Sequence, residues 1–168
     1  MNKVRFFALI TFSDTNLLID YLSLISKKIG KYDFFSQNIK YPCDLSGNYS
    51  SNSNFKIKVI SFNKLYLIEK SKFFSKKAEE VKEKMSITGH VNFNMSYGYL
   101  NKHQVVTLHR TPSPDRIYIS KELHAQVQLV FANGRMSLLD TDNKEFSIID
   151  VKKYFEDLHS LYREEISK

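Results

Sequence analysis

Apolar and polar residues alternate along this chain with periods that change every ten to twenty residues, and each period predicts an element. Val4 to Phe12 (Val-Arg-Phe-Phe-Ala-Leu-Ile-Thr-Phe) is a nearly unbroken apolar run of strand length, as expected of a central strand buried on both faces. Ser13-Asp14-Thr15 follows with short side-chain oxygens that can accept from the first free N–H groups of a helix. Leu18, Tyr21, Leu22, Ile25 and Ile29 then recur at helical spacing, and Gly30 is placed to end that helix. A second strand is predicted over Tyr32 to Ile39. Residues 42–54 are small and polar and predict a mobile loop. From Phe55 to Phe62 the period returns to two, with Phe55, Ile57 and Val59 opposite Lys56, Lys58 and Ile60. A helix is expected over Glu69 to Met85, because Phe74, Ala78, Val81 and Met85 fall on one narrow stripe. His90 to Phe93 reads as a short strand.

The order to that point is βαββαβ, the ferredoxin-like pattern. Tyr99 to His109 is expected to form a short helix that stops before Pro112 and Pro114. Arg116 to Ser120 is a predicted strand. His124 to Phe131 alternates, which puts Ala125, Val127, Leu129 and Phe131 on one face. Asn133-Gly134 predicts a type I′ hairpin, since both residues tolerate positive φ, and Arg135 to Leu139 is the returning strand. The last helix opens with Ser147 and Asp150 at capping-box spacing and buries Val151, Tyr154, Phe155, Leu158, Leu161 and Tyr162. The expected fold is therefore α+β: a ferredoxin-like βαββαβ unit extended by a short helix, a three-stranded antiparallel meander and a C-terminal helix. No repeat or linker divides the chain. Residues 1–168 read as one domain, with a ferredoxin-like half over 1–94 and a helix-meander-helix extension over 95–168.

Composition narrows the class. The chain has 168 residues, 42% of them hydrophobic and 26% charged, a globular balance with enough apolar residues for a core. The single cysteine, Cys43, cannot form an internal disulfide, so an oxidising compartment offers no stabilisation. The opening Met1-Asn2-Lys3-Val4-Arg5 imitates a signal peptide, but the apolar run is short and leads into Ser13-Asp14-Thr15 rather than a small-residue cleavage site. With no stretch of bilayer length, the chain reads as cytoplasmic with no membrane partner. The net charge of +7 is concentrated in the middle: residues 55–86 carry nine lysines against four glutamates, so an anionic partner is expected to favour that region.

The second half carries a resemblance. Gly98-Tyr99-Leu100, Arg116-Ile117-Tyr118-Ile119 and Ala125-Gln126-Val127-Gln128-Leu129-Val130-Phe131 occur in order. A closing helix follows with Tyr154-Phe155 and Leu161-Tyr162-Arg163. With Ser61-Phe62 and Leu65 in the first half, the chain resembles the bacterial family called domain of unknown function forty-four-sixteen. That pattern has Asn-x-Asp-Pro-Gly-Tyr-Leu before its middle helix and a Thr-Lys-Asp near the Arg-Ile-Tyr strand. Here the first reads Asn94-Met95-Ser96-Tyr97-Gly98-Tyr99-Leu100, the lysine position falls at about Thr111, and Asp115 precedes Arg116 where relatives often show His. If the family site depends on that Asp and Lys, the resemblance implies that this chain has lost groups able to transfer protons or hold a phosphate there. Relatives sometimes carry a GTP-binding label, but this sequence has no Gly-x-x-x-x-Gly-Lys-Ser/Thr loop.

Candidate chemistry is sparse. His90, His103, His109, His124 and His159 lack the paired spacings of a metal site, so no metal and no cofactor is expected. Cys43 has no histidine nearby in sequence and there is no Gly-x-Ser-x-Gly elbow. Lys70, Lys72, Lys76, Lys77, Lys82 and Lys84 suggest an anion-binding helix face. Glu79, Glu80 and Glu83 share that outward side, with Glu80 and Lys84 at i,i+4, which is the pattern of a solvated face. RNA binding through the sheet has weak support, because the aromatic signature of base-stacking strands is missing and Phe6, Phe7, Phe55 and Phe62 suit a core. The remaining candidates are Asn94, Gly98, Tyr99, Arg110, Arg116 and Tyr118. Alternation puts Arg116 and Tyr118 on one strand face, a guanidinium fork suits a carboxylate or phosphate, and Gly98 permits close backbone approach. The equal alternative is a structural Arg116 bonded to Asp115 or a carbonyl. The expectation is a non-enzymatic binding or regulatory domain with an anionic small molecule or protein partner near Arg116. A small enzyme acting on a phosphorylated or nucleotide substrate is one alternative. A structural subunit, homo-oligomeric through its sheet edge or last helix, is the other.

Overall fold

A computed structural model of the chain describes residues 3–42, 54–87, 93–139 and 141–168. Cys43, most of the loop expected over 42–54, and residues 90–92 of the expected His90–Phe93 strand lie outside the described residues.

The first apolar run forms β1 (Lys3–Phe12), and period-two alternation divides its side chains between two cores. Val4, Phe6, Ala8, Ile10 and Phe12 face one layer; Phe7 and Leu9 face the other. Helix α1 (Thr15–Lys28) starts where Asp14, in extended conformation, accepts from the Asn16 N–H at 2.8 Å. It ends at Gly30, whose φ of +151° disfavours a side chain. The strand expected over Tyr32 to Ile39 is two short pieces, β2 (Tyr32–Phe35) and β3 (Ile39–Lys40), both paired to the long β4 (Lys56–Leu67). A 3-10 turn (Ile68–Lys70) leads into α2 (Ser71–Ile87), and its predicted stripe of Phe74, Ala78, Val81 and Met85 is buried.

The helix expected over Tyr99 to His109 is absent; those residues are the end of β5 (Phe93–Leu100) and all of β6 (Gln104–His109). Asn101 causes the difference. Its side-chain oxygen accepts from the N–H groups of His103 and Gln104, each at 2.8 Å, and folds the chain into a tight turn. Val105, Val106 and Thr107 then favour a strand, where branching at Cβ is accommodated. β7 (Ile117–Ser120), β8 (Leu123–Ala132) and β9 (Arg135–Leu138) follow. Asn133 and Gly134 take φ of 52° and 72° between β8 and β9, as the hairpin signal predicts. The meander is altered in one respect. β6 pairs with β8 from Val130 to His124, so β7 and β9 occupy successive stretches of the opposite β8 edge.

Together the strands form one nine-stranded sheet in the order β2-β4-β1-β5-β6-β8-β7, with β3 beside β4 and β9 beside β8, and every neighbouring pair is antiparallel. The fold is thus mixed α+β. Helices α1 and α2 pack on one face of the sheet. α3 (Ile149–Ile166), with a preceding 3-10 turn (Lys144–Ser147), packs on the other. The predicted capping box is not formed, because Ser147 belongs to that turn and its hydroxyl donates to the Lys144 carbonyl at 2.7 Å. Tyrosine hydroxyls fasten α3 instead: Tyr154 donates to the Phe34 carbonyl at 3.1 Å and Tyr162 to that of Lys3 at 2.7 Å. Among the described residues no helix is long and apolar enough to cross a membrane.

A bulge in β8 decides which side chains share a face. Val105 stands opposite Leu129 while Val106 stands opposite Val127, which leaves Gln128 as the extra residue. Side chains before and after such a residue point to opposite faces. Leu123, Ala125 and Val127 therefore join the α1/α2 core, whereas Leu129 and Phe131 join the α3 core. The expected single face of Ala125, Val127, Leu129 and Phe131 is corrected accordingly.

Candidate functional site

Across β5, β6 and β8 the register aligns Gly98 with Thr107 and Thr107 with Gln126. Directly paired residues project to the same face, so Thr107 and Gln126 both lie on the α3 side. Arg116 extends this row, one residue before the Ile117–Ala125 pair. In the adjacent row His109 pairs with His124 and His124 with Tyr118. The sheet thus gathers a patch of polar side chains on one face, beyond the apolar residues that α3 covers.

The interior of this patch is sealed and saturated. Gln128, fully buried at the bulge, donates to Thr107 Oγ1 at 2.8 Å and to Gln126 Oε1 at 3.1 Å. Its own carbonyl oxygen accepts from the Thr141 hydroxyl. Asn143 donates to Gln126 Oε1 at 3.0 Å, so the segment leading to α3 closes the network from above. Gln126 Nε2 in turn donates to Asp115 Oδ2. The Ser113 hydroxyl, bonded to Asp115, holds that carboxyl below the usual range. His109 Nε2 is 2.8 Å from Thr107 Oγ1, and burial, assisted by the Arg116 charge, pushes the imidazole pKa down to about 4. At neutral pH it is an uncharged hydrogen-bonding group.

The outer part of the patch is open. Arg116 is half-buried, and its Nη1 donates to the Thr111 carbonyl at 3.1 Å and the Thr111 hydroxyl at 3.0 Å. Among the described residues it forms no ion pair, and its Nε, although buried, has no hydrogen-bond partner. His124 Nδ1 is likewise buried and without a partner. Tyr118 is 67% exposed and stands edge-on to the His124 ring at 5.7 Å. The Arg116 guanidinium, the His124 imidazole and the exposed Tyr118 phenol therefore share one corner of the sheet. Thr107, the hydroxyl nearest an imidazole, is too deeply buried to act as a nucleophile.

Of the residues predicted for the site, Arg116 and Tyr118 share this corner and Gly98 lies three strands away in the same row. Gly98 does allow close backbone approach, but what approaches is β6: a Cβ there would stand 1.9 Å from the Val106 carbonyl oxygen. Tyr99 is buried on the opposite face, edge-on to Phe6. Arg110 also belongs to that face, 3.7 Å from Glu83 and from Glu122. Asn94 is exposed near the start of β5, opposite Thr11. Along the lysine-rich helix the pairs formed are Lys77–Glu80 at 3.2 Å and Glu79–Lys82 at 3.4 Å rather than Glu80–Lys84. Among the described residues no group of three or more His, Cys, Asp or Glu side chains is placed to hold a metal ion.

Sequence reasoning missed Thr107, Gln126 and Gln128. The available signal was the pair of glutamines inside an otherwise apolar strand, where alternation alone assigned them to solvent.

A family model described as Domain of unknown function (DUF4416) matches residues 2–162. No curated protein and no solved structure matches the chain.

Proposed function

Taking as premise that the chain belongs to the DUF4416 family, whose description assigns no activity, we propose that it is a binding or regulatory domain that takes an anionic ligand at the Arg116 corner. The observation that carries this reading is the state of Arg116. It is half-buried, forms no ion pair among the described residues although its charge helps to lower the pKa of the adjacent Asp115, and its Nε is buried without a partner, as is His124 Nδ1 in the neighbouring row. A buried donor left unpaired costs about 1–3 kcal/mol, so a ligand oxygen that accepted from it would recover that energy. Carboxylate or phosphate oxygens suit the planar guanidinium fork. Tyr118 adds an exposed ring against which a ligand can stack.

Two further parts of this reading concern fold and setting. The order β2-β4-β1-β5, with every pair antiparallel and α1 and α2 on one face, supports a ferredoxin-like arrangement for the first part of the chain, with β3 an addition on the β4 edge. The single cysteine supports a reducing, cytoplasmic setting.

The test is a thermal-shift comparison of the chain and its Arg116→Ala variant with inorganic phosphate, nucleotides, oxalate (a carboxylate with no apolar body) and RNA oligomers. A ligand at about ten times its Kd contributes ~1.4 kcal/mol, about 3–5 °C for a chain of this size. That shift is expected in the wild type and lost in Arg116→Ala, whose own midpoint stays within about 2 °C because the side chain sits at the sheet margin. An equal response from both proteins removes Arg116 from the site.

A second reading has its own observation. Ile117, Tyr118 and Ile119 are consecutive, exposed and on the outermost strand, so both faces of that edge present apolar surface. This favours a protein partner at the sheet edge, and sedimentation of the chain against an Ile117→Lys variant separates it from the first.

A further inference from the structure

We propose a second ligand site, independent of the Arg116 corner, at the junction of α1, the end of β4 and the start of α2: a pocket for a small organic anion with an apolar body, such as an aromatic or short aliphatic carboxylate. A cavity of about 220 Å³ opens there. Its floor is Phe6, Phe62 and Phe74, all buried and packed on one another, with Phe6 stacked on Phe74 at 4.2 Å and Phe62 edge-on to Phe74 at 5.4 Å. Tyr66 and Phe73 form its sides, and Lys70 and Lys77 stand on its rim.

Phe73 marks this as more than incomplete packing. The buried stripe of α2 runs through Phe74, Ala78, Val81 and Met85, and Phe73 falls outside it at 62% exposure. A large aromatic side chain exposed beside an aromatic-floored cavity has surface to bury on a ligand. The rim decides the charge of that ligand. Lys77 is shared, lying 3.2 Å from Glu80 and 5.8 Å from the Phe73 ring, whereas Lys70 forms no ion pair among the described residues. A cationic ligand is repelled by both lysines, whereas an anionic one is attracted by Lys70, whose exposed charge is shared with no carboxylate within ion-pair distance among the described residues. An anionic head at the rim with its body on the phenylalanines satisfies both parts. At about 30 Å³ per water-sized group the cavity holds roughly seven such groups, the size of one aromatic ring or a short alkyl chain.

The experiment titrates the chain with hexanoate and benzoate, and with hexan-1-ol and benzyl alcohol as uncharged counterparts, followed by calorimetry. The carboxylates are expected to bind saturably, and the alcohols at least tenfold more weakly. Lys70→Glu should weaken the carboxylates at least fivefold while leaving the thermal midpoint unchanged, and Phe73→Ala should weaken all four compounds. Arg116→Ala should retain full carboxylate binding, so failure here and failure at the Arg116 corner are told apart. No saturable carboxylate binding, equal affinity for acid and alcohol, an unaltered affinity in both α2-region variants, or loss of binding in Arg116→Ala would each overturn the proposal.

Discussion

Arg5 and Arg116 are both arginines on the α3 face of the same sheet, and their surroundings differ completely. Arg5, on the central strand, is 1% exposed. Its Nε donates to Ser61 Oγ at 3.1 Å, its Nη1 to Glu165 at 2.6 Å, and its Nη2 to Asp33. Those partners come from the neighbouring strand, the last helix and the sheet edge, so a single guanidinium joins the two ends of the chain to β2. Arg116, at the outer margin, has a backbone carbonyl and one hydroxyl, with no carboxylate. The contrast shows what makes an arginine structural. A guanidinium removed from water needs charge compensation and full hydrogen bonding, and Arg5 has both. One left half in water keeps its charge available, which is the condition for recognising a ligand.

The largest expected effect tests the sealed member of the pair. Arg5→Met leaves Asp33 and Glu165 without their cation and Ser61 without its donor, and should cost about 3–5 kcal/mol in urea denaturation. Adding Asp33→Asn and Glu165→Gln should recover part of that loss, since fewer unpaired charges remain. A cost below about 1 kcal/mol would erase the distinction between the two arginines. Gln128→Leu comes next, at about 2–3 kcal/mol, because it strips partners from Thr107, Gln126 and Thr141 at once while preserving volume. It sharpens the comparison by asking whether the patch next to Arg116 is a structural network at its centre. If Gln128→Leu is neutral, the network contributes nothing to the fold.

The smallest effect concerns pH. Unfolded His109 takes up its proton near 6.5, whereas in the fold burial delays protonation to about 4. Between those values the unfolded state holds more protons, so stability rises with pH there and falls on acidification. His109→Gln removes that contribution. Between pH 7 and pH 4 the variant should lose less stability than the wild type, by on the order of 1 kcal/mol once the partial exposure of the ring is discounted. Parallel pH profiles for the two proteins would show that the imidazole titrates as it does in water.

Local features were legible in the residues themselves, and long-range ones were not. The Asp14 cap, the Asn133-Gly134 turn and the α2 stripe each depend on neighbours within about four positions, and each is found where its pattern implies. Tyr99 to His109 misled because a mixed stretch of eleven residues fits a short helix as readily as a hairpin until the Asn101 side chain is seen to close a turn. For the site, Arg116 and Tyr118 were reachable by alternation along a single strand. Thr107, Gln126 and Gln128 were not, since their meeting requires the register of β6 against β8.

Sequence alone therefore determined the periods, the caps and turns, the sign and location of the charge, and a family resemblance spread over most of the chain. Tertiary structure decided which face each β8 residue serves, because one bulged residue inverts every side chain beyond it. It also decided that Arg5 is sealed and Arg116 open, because compensation for Arg5 arrives from Glu165, 160 positions away. Hydrogen bonds within a turn are set by adjacent residues. Burial and charge pairing are set by whatever the fold carries alongside, and that is a property of the assembled sheet.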